Sequence, residues 1–128
     1  MPVFTRTIIV CDLNRTRFFE LEAVIDTGSS NSQIPQEAAD YLGLTPEGTR
    51  EVMLADGTVG EQPYTSARLA LANVGNLYAM PVLIGQPGSA PLIGTTALEI
   101  FGFGVDTGGE RLIPKVWQLL AETRWPTL

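Results

Sequence analysis

With 128 residues and a net charge of −6, the chain is sized for one domain with its own core and is too short for two complete lobes. The acidic balance and the lack of a basic run argue against nucleic acid or an anionic membrane as a partner, and no apolar stretch is long enough to span a bilayer. Histidine is absent and Cys11 is the one cysteine, which excludes His-dependent dyads, triads and an internal disulfide; no metal or cofactor is expected, and chemistry falls to carboxylates and hydroxyls. A lone cysteine and the lack of a signal-peptide pattern suit a reducing, cytoplasmic setting.

Thirteen glycines, nine prolines and many short apolar runs favour an all-β architecture with tight turns. Residues 3–10 read as a first strand and 12–15 as a turn. Residues 17–25 read as a second strand, in which Phe19, Leu21 and Ala23 alternate with Glu20 and Glu22 at the period of a half-buried strand. That strand ends in Ala23-Val24-Ile25 and runs at once into Asp26-Thr27-Gly28-Ser29-Ser30, a composition that forces a turn. A carboxylate is thereby delivered to the edge of a dry core. Left unpaired it would cost several kcal/mol, so it needs a partner, a proton or dense hydrogen bonding. Gly28 allows close backbone approach, and the hydroxyls of Thr27 and Ser29 are natural donors.

Pro35 and residues 36–42 predict a short helix that Gly43 terminates. Asp56-Gly57, flanked by extended segments 50–55 and 58–61, predicts a hairpin with a type I′ turn. Residues 66–71 and 77–84 read as two further strands joined by a turn at 73–76, followed by a loop at 86–91. Leu92-Ile93-Gly94 then precedes a second short helix, with Thr96 as N-cap, Glu99 three residues on and Gly102 as terminator.

The stretch from Ala23 to Ile34 resembles the active-site motif of aspartic proteases, three apolar residues, Asp-Thr-Gly-Ser, small polar residues and an apolar position. In so short a chain the likeness is to the single-lobe, retropepsin-like branch in its bacterial form, where Leu42-Gly43-Leu44 also fits. Leu92-Ile93-Gly94 resembles the second signature of that family, and acid turn, hairpin and apolar-apolar-Gly follow one another in the family's order over residues 3–114. The resemblance implies a closed β-barrel with a flap hairpin and one or two short helices. It implies Asp26 as the catalytic residue, Thr27, Gly28 and Ser29 as the active-site loop, and Ala55, Asp56, Gly57 and Thr58 as the flap. Leu92, Ile93 and Gly94 would belong to the substrate pocket.

One such carboxylate per chain is insufficient, because peptide hydrolysis by this route needs both a base and an acid. The expectation is therefore a homodimer acting on a peptide or protein substrate, with Asp26 paired to its symmetry mate across a two-fold axis. The second Asp-Thr-Gly, at Asp106, has only twenty residues after Gly108, too few for another lobe, and reads as a structural hairpin turn. Residues 1–114 are expected to form the domain and 115–128 a tail, with Val116, Trp117, Leu120 and Ala121 placed to line one helical face that docks. Two other classes compete. The fold could serve as a non-catalytic dimerisation or peptide-binding module. The strand-Asp-turn also resembles the phosphate-binding turn of actin-like sugar kinases, but those need two large domains and a strand after the turn, where this chain has Pro35 and a helix.

Overall fold

The computed structural model describes residues 4–106, 108 and 110–117. It opens with two antiparallel strands, β1 (Phe4–Cys11) and β2 (Phe18–Ile25), in register from Phe4 opposite Ile25 to Cys11 opposite Phe18. The connecting turn is organised by Asp12, whose carboxylate accepts the amides of Thr16 at 2.8 Å and Arg17 at 2.9 Å and the Thr16 hydroxyl at 2.7 Å. These bonds, the Arg17 amide foremost, hold the Asp12 carboxyl below the usual carboxylate range. They also accompany the left-handed φ of 59° at Arg15, which a non-glycine residue adopts at a cost.

The chain continues through β3 (Gln33–Ile34), α1 (Gln36–Leu42), β4 (Gly48–Met53), β5 (Val59–Leu71) and β6 (Val74–Ile84). It ends with β7 (Leu92–Ile93), α2 (Thr95–Phe101) and a separate hairpin of β8 (Phe103–Val105) and β9 (Leu112–Pro114). The sheet order β1-β2-β7-β3-β6-β5 returns to its start, because β5 also pairs with β1 from Ile8 opposite Leu71 to Cys11 opposite Arg68. Six strands thus close a ring, the expected all-β barrel, with β4 added outside on β5. Closure removes the exposed edges that an open sheet would present. Ile8, Val10, Ile25, Ile34, Leu69, Val82 and Ile93 fill the interior, with Ala38, Ala39 and Leu42 of α1 and Ala97 and Leu98 of α2 sealing it. No described helix is long and apolar enough to cross a membrane.

Several local expectations change. Residues 59–71 form one strand through Pro63 rather than two segments; Pro63 sits opposite Thr49, one residue before pairing with β6 begins at Tyr64, so its missing N–H breaks no ladder to that strand. The hairpin after β5 is tighter than a turn at 73–76, because Leu71 already pairs with Val74 and Asn73 takes the left-handed φ of 64°. The type I′ turn at Asp56-Gly57 is replaced by a three-residue loop, in which Gly57 alone has positive φ, 86°. Its N–H reaches the Leu54 carbonyl at 2.9 Å, while the Leu54 N–H reaches the Thr58 carbonyl at 2.8 Å. Asp56 explains the choice: its carboxylate accepts the Thr58 amide at 2.9 Å and hydroxyl at 2.6 Å, a local bond that a three-residue loop permits.

Thr96 is not the N-cap of α2. Gly94 holds that place with no side-chain cap, and the carbonyls that satisfy the first helical amides come from the Asp26 loop. Of the tail, residues 115–117 run back along α2, where the Lys115 amide donates to the Gly102 carbonyl at 2.7 Å and the Trp117 indole to the Glu99 carbonyl at 2.7 Å. Leu120, Ala121 and Trp125 lie outside the described residues.

Candidate active site

Asp26 stands where β2 leaves the barrel. Its own amide donates to the Ile93 carbonyl at 2.9 Å, and the Val24 amide donates to the Pro91 carbonyl at 2.9 Å, so the parallel strand β7 grips the last residues of β2. Ile25 is buried in the core between two half-buried neighbours. Strand alternation therefore turns Asp26 away from the core. One carboxylate oxygen accepts the Gly28 amide at 2.9 Å and the other the Ser29 hydroxyl at 2.9 Å. The Ser29 amide closes the turn on the Asp26 carbonyl at 3.2 Å. A Cβ on Gly28 would sit 3.2 Å from the Asp26 carboxylate, which is tight, so glycine keeps that approach open. The half-buried acid is held in one orientation by these two donors.

The loop is fixed from behind by α2. The amides of Thr95 and Thr96, which a helix start would otherwise leave unbonded, donate to the carbonyls of Ser29 at 2.9 Å and Ser30 at 3.2 Å. Gly94 lies so close to the loop that an added Cβ would fall 2.6 Å from the Asn31 carbonyl oxygen, 2.7 Å from that of Ser29 and 2.9 Å from the Ser30 carbonyl carbon. The Gly94 amide in turn donates to the Ser32 hydroxyl at 3.1 Å, and Ser32 is only 3% exposed. Ser32 is the residue that reading the sequence missed. Its one signal is a small polar residue set directly before a buried strand, a position that would bury an unpartnered hydroxyl unless a backbone group met it.

Of the residues expected at the site, Asp26, Gly28, Ser29 and Gly94 meet in this one arrangement. Thr27 is half-buried within the same loop. Leu92 is half-buried, whereas the Ile93 side chain is fully buried in the core and reaches the site through its carbonyl. Ala55, Asp56, Gly57 and Thr58 form the exposed tip of the β4–β5 hairpin. Hydrogen bonds from the Thr58 hydroxyl and then its amide lower the Asp56 pKa. Asp106 belongs elsewhere: it accepts the Gly108 amide at 3.2 Å and pairs with Arg111 at 2.8 Å in the β8–β9 turn, interactions that hold its carboxyl below the usual range. Thr107 lies outside the described residues. Cys11 is no candidate nucleophile, since it is fully buried and burial pushes its thiol up.

A closed barrel whose strand end carries an Asp-Thr-Gly-Ser turn, buttressed by an apolar-apolar-Gly strand and a short helix, defines the retropepsin-like fold. Solved structures agree. The chain is similar to the EIAV protease in complex with the inhibitor HBY-793, at a TM-score of 0.57 and 15% identity over 86% of this chain and 92% of that one. It is also similar to a retropepsin-like aspartic protease from Rickettsia conorii (TM-score 0.53, 18% identity, 81% of this chain and 82% of that one). A third similar structure is the retroviral protease-like domain of Ddi1 from Leishmania major (TM-score 0.51, 20% identity, 87% and 89%). At these identities the likeness is one of fold. No curated protein matches the sequence significantly. The sequence model described as aspartyl protease matches residues 13–97, which include the Asp26 turn, the hairpin and Gly94, and the chain belongs to that family. Family and fold together support a protease function.

Proposed function

We propose that the chain is an aspartic endopeptidase that works as a homodimer, with Asp26 and Asp26 of the partner subunit forming one catalytic dyad on the two-fold axis. The observation that carries this reading is the clamp on Asp26, a carboxylate turned out of the core and oriented by the Gly28 amide and the Ser29 hydroxyl. Two such carboxylates face to face cannot both ionise and so share one proton, the arrangement for which aspartic proteases are the standard case. The ionised member takes a proton from water as the water oxygen bonds to the scissile carbonyl carbon. The protonated member gives its proton to the carbonyl oxygen. Collapse of the tetrahedral adduct then breaks the C–N bond, the nitrogen receives a proton, and the shared proton is restored. In this reading Thr27 braces the two loops across the axis, and Leu92 offers an apolar wall to substrate. The β4–β5 hairpin is the flap. Met53, Leu54 and Val59 near its tip are 75%, 52% and 58% exposed, apolar surface suited to closing over a peptide rather than to facing water. In this reading residues 1–114 form the protease domain, and the buried lone thiol suits a cytoplasmic setting.

The test is cleavage of a peptide library between pH 3 and 7, with and without a statine-type inhibitor, for the wild type and Asp26→Asn. Asp26→Asn keeps side-chain size and should lower the rate at least about 10³-fold while leaving the fold and the dimer intact. At concentrations below the dimer dissociation constant, the wild-type rate per chain should fall in proportion to dilution. Peptide affinity retained in the variant, with no turnover in the wild type, would instead establish the non-catalytic binding module.

A further inference from the structure

The β4–β5 hairpin is held to the barrel by backbone pairing only as far as Tyr64, which lies opposite Leu83 of β6. From Pro63 outward to Val59, β5 pairs with β4 alone. One side chain extends the grip beyond that limit. Gln62, opposite Arg50 in the hairpin, donates through Nε2 to the Gln33 Oε1 at 2.5 Å and to the Ile84 carbonyl at 3.2 Å. Gln33 passes the chain on, its own Nε2 donating to the Ala90 carbonyl at 3.0 Å. Both ends of this relay are backbone carbonyls, which only accept, so each amide has one consistent orientation.

The residues it reaches matter more than the bonds themselves. Gln33 follows Ser32, the acceptor for the Gly94 amide, at the point where the Asp26 loop re-enters the barrel. Ala90 precedes Pro91 and Ile93, whose carbonyls take the amides of Val24 and Asp26. The 86–91 loop is drawn tightly over Gln33: a Cβ on Gly85 would meet the Ser89 hydroxyl at 2.0 Å and the Gln33 amide carbon at 2.9 Å. Gln33 also lies opposite Leu92, so the two side chains share the face of the sheet that turns away from the core.

We infer that Gln62 is a positioning residue of the protease: through Gln33 it pins the root of the flap to both segments that hold Asp26, and so sets how the flap closes over substrate. This rests on the function proposed above. Losing the Gln62 donor removes the bonds to the Gln33 Oε1 and the Ile84 carbonyl, both on the barrel side of the flap root.

Steady-state cleavage by the wild type, Gln62→Leu, Gln33→Leu and the double variant tests it, alongside amide exchange in each without substrate. Gln62→Leu should raise KM about tenfold with kcat changed less than about threefold, and the double variant should be no worse than either single one. Amides of residues 49–62 should exchange about tenfold faster while those of α1 do not change. Should Gln62→Leu fail to fold, Gln62→Glu, of equal shape but without the two N–H donors, carries the same expectation. A lowered Tm with KM and flap exchange unchanged, or additive effects of the two substitutions, overturns the inference. If the wild type turns over no peptide, the proposed function fails, and the exchange rates alone decide whether the pin exists.

Discussion

Replacing Gly94 by alanine should damage the site through one added methyl group that meets main-chain atoms. Gly94 has φ of −93° and ψ of −178°, extended backbone that alanine adopts freely, so the cost comes from the methyl and not from strain. The new carbon would lie 2.6 Å from the Asn31 carbonyl oxygen and 2.7 Å from that of Ser29, both main-chain atoms. Reaching a contact near ~3.5 Å requires a retreat of roughly 0.9 Å between the β7–α2 junction and the Asp26 loop. Overpacking of this kind costs about 1–3 kcal/mol. The same retreat stretches the bonds from Thr95 to Ser29, Thr96 to Ser30 and Gly94 to Ser32, which contribute about 0.5–1.5 kcal/mol each. Partial relaxation puts the total near ~3 kcal/mol, or a fall in Tm of about 10 °C for a chain of this size. A carboxylate displaced by about 1 Å loses on the order of 10²-fold in rate, so kcat/KM should fall by that much in the molecules that stay folded. Calorimetry and steady-state cleavage at fixed protein concentration check both numbers. Gly104→Ala, outside the site, is the control, since its added carbon meets the Lys115 Cδ at an ordinary 3.6 Å and its φ is outside the left-handed region. A Gly94→Ala protein with the thermal stability and rate of Gly104→Ala would refute the reasoning.

Ser32→Ala removes the acceptor for the buried Gly94 amide and should cost about 1–3 kcal/mol, read as a lower midpoint in urea with an unchanged slope. Asp56 has its folded pKa depressed below 3.8 by the Thr58 hydroxyl and amide, so its contribution to the turn is fully present above that value and is lost as pH falls through the lowered one. Amide exchange at Thr58, corrected for intrinsic rate, should be flat from neutral pH down to about 4. Loosening should begin at a higher pH in Thr58→Val. Asp106→Asn weakens the exposed pair with Arg111 and should lower Tm slightly while leaving cleavage unchanged; a loss of turnover comparable to that of Asp26→Asn would restore the second Asp-Thr-Gly as catalytic.

The elements that could be read in the sequence are those whose cause is local. Alternation across Phe19 to Ala23, the β-branched run into Asp26 and the glycines closing both helices each state a backbone preference within a few residues. The errors have distant causes. Thr96 with Glu99 has the composition of a capping box, yet the helix starts two residues earlier because the carbonyls of Ser29 and Ser30, more than sixty residues away, accept its first amides. The sequence reads as separate extended segments at 58–61 and 66–71, yet one strand runs through Pro63 because its neighbours change at that residue. Ile93 resembles a pocket wall by position but is drawn into the core by pairing with Ile25.

The site itself divides in the same way. Asp26, Gly28 and Ser29 lie within four successive residues, and their mutual bonds could be anticipated from the turn they form. What orients that turn is almost entirely main chain: the carbonyls of Pro91 and Ile93 on one side, the amides of Gly94, Thr95 and Thr96 on the other. Backbone groups leave no residue signature except where a side chain must be absent, and Gly94 is that exception. This makes the position of the carboxylate depend chiefly on how closely two main chains approach, with the Ser29 and Ser32 hydroxyls adding to that frame. The proposed reaction, which needs two carboxylates placed to share one proton, would be served by such a scaffold, because backbone hydrogen bonds have no rotamers to lose and pull the acid back to one place.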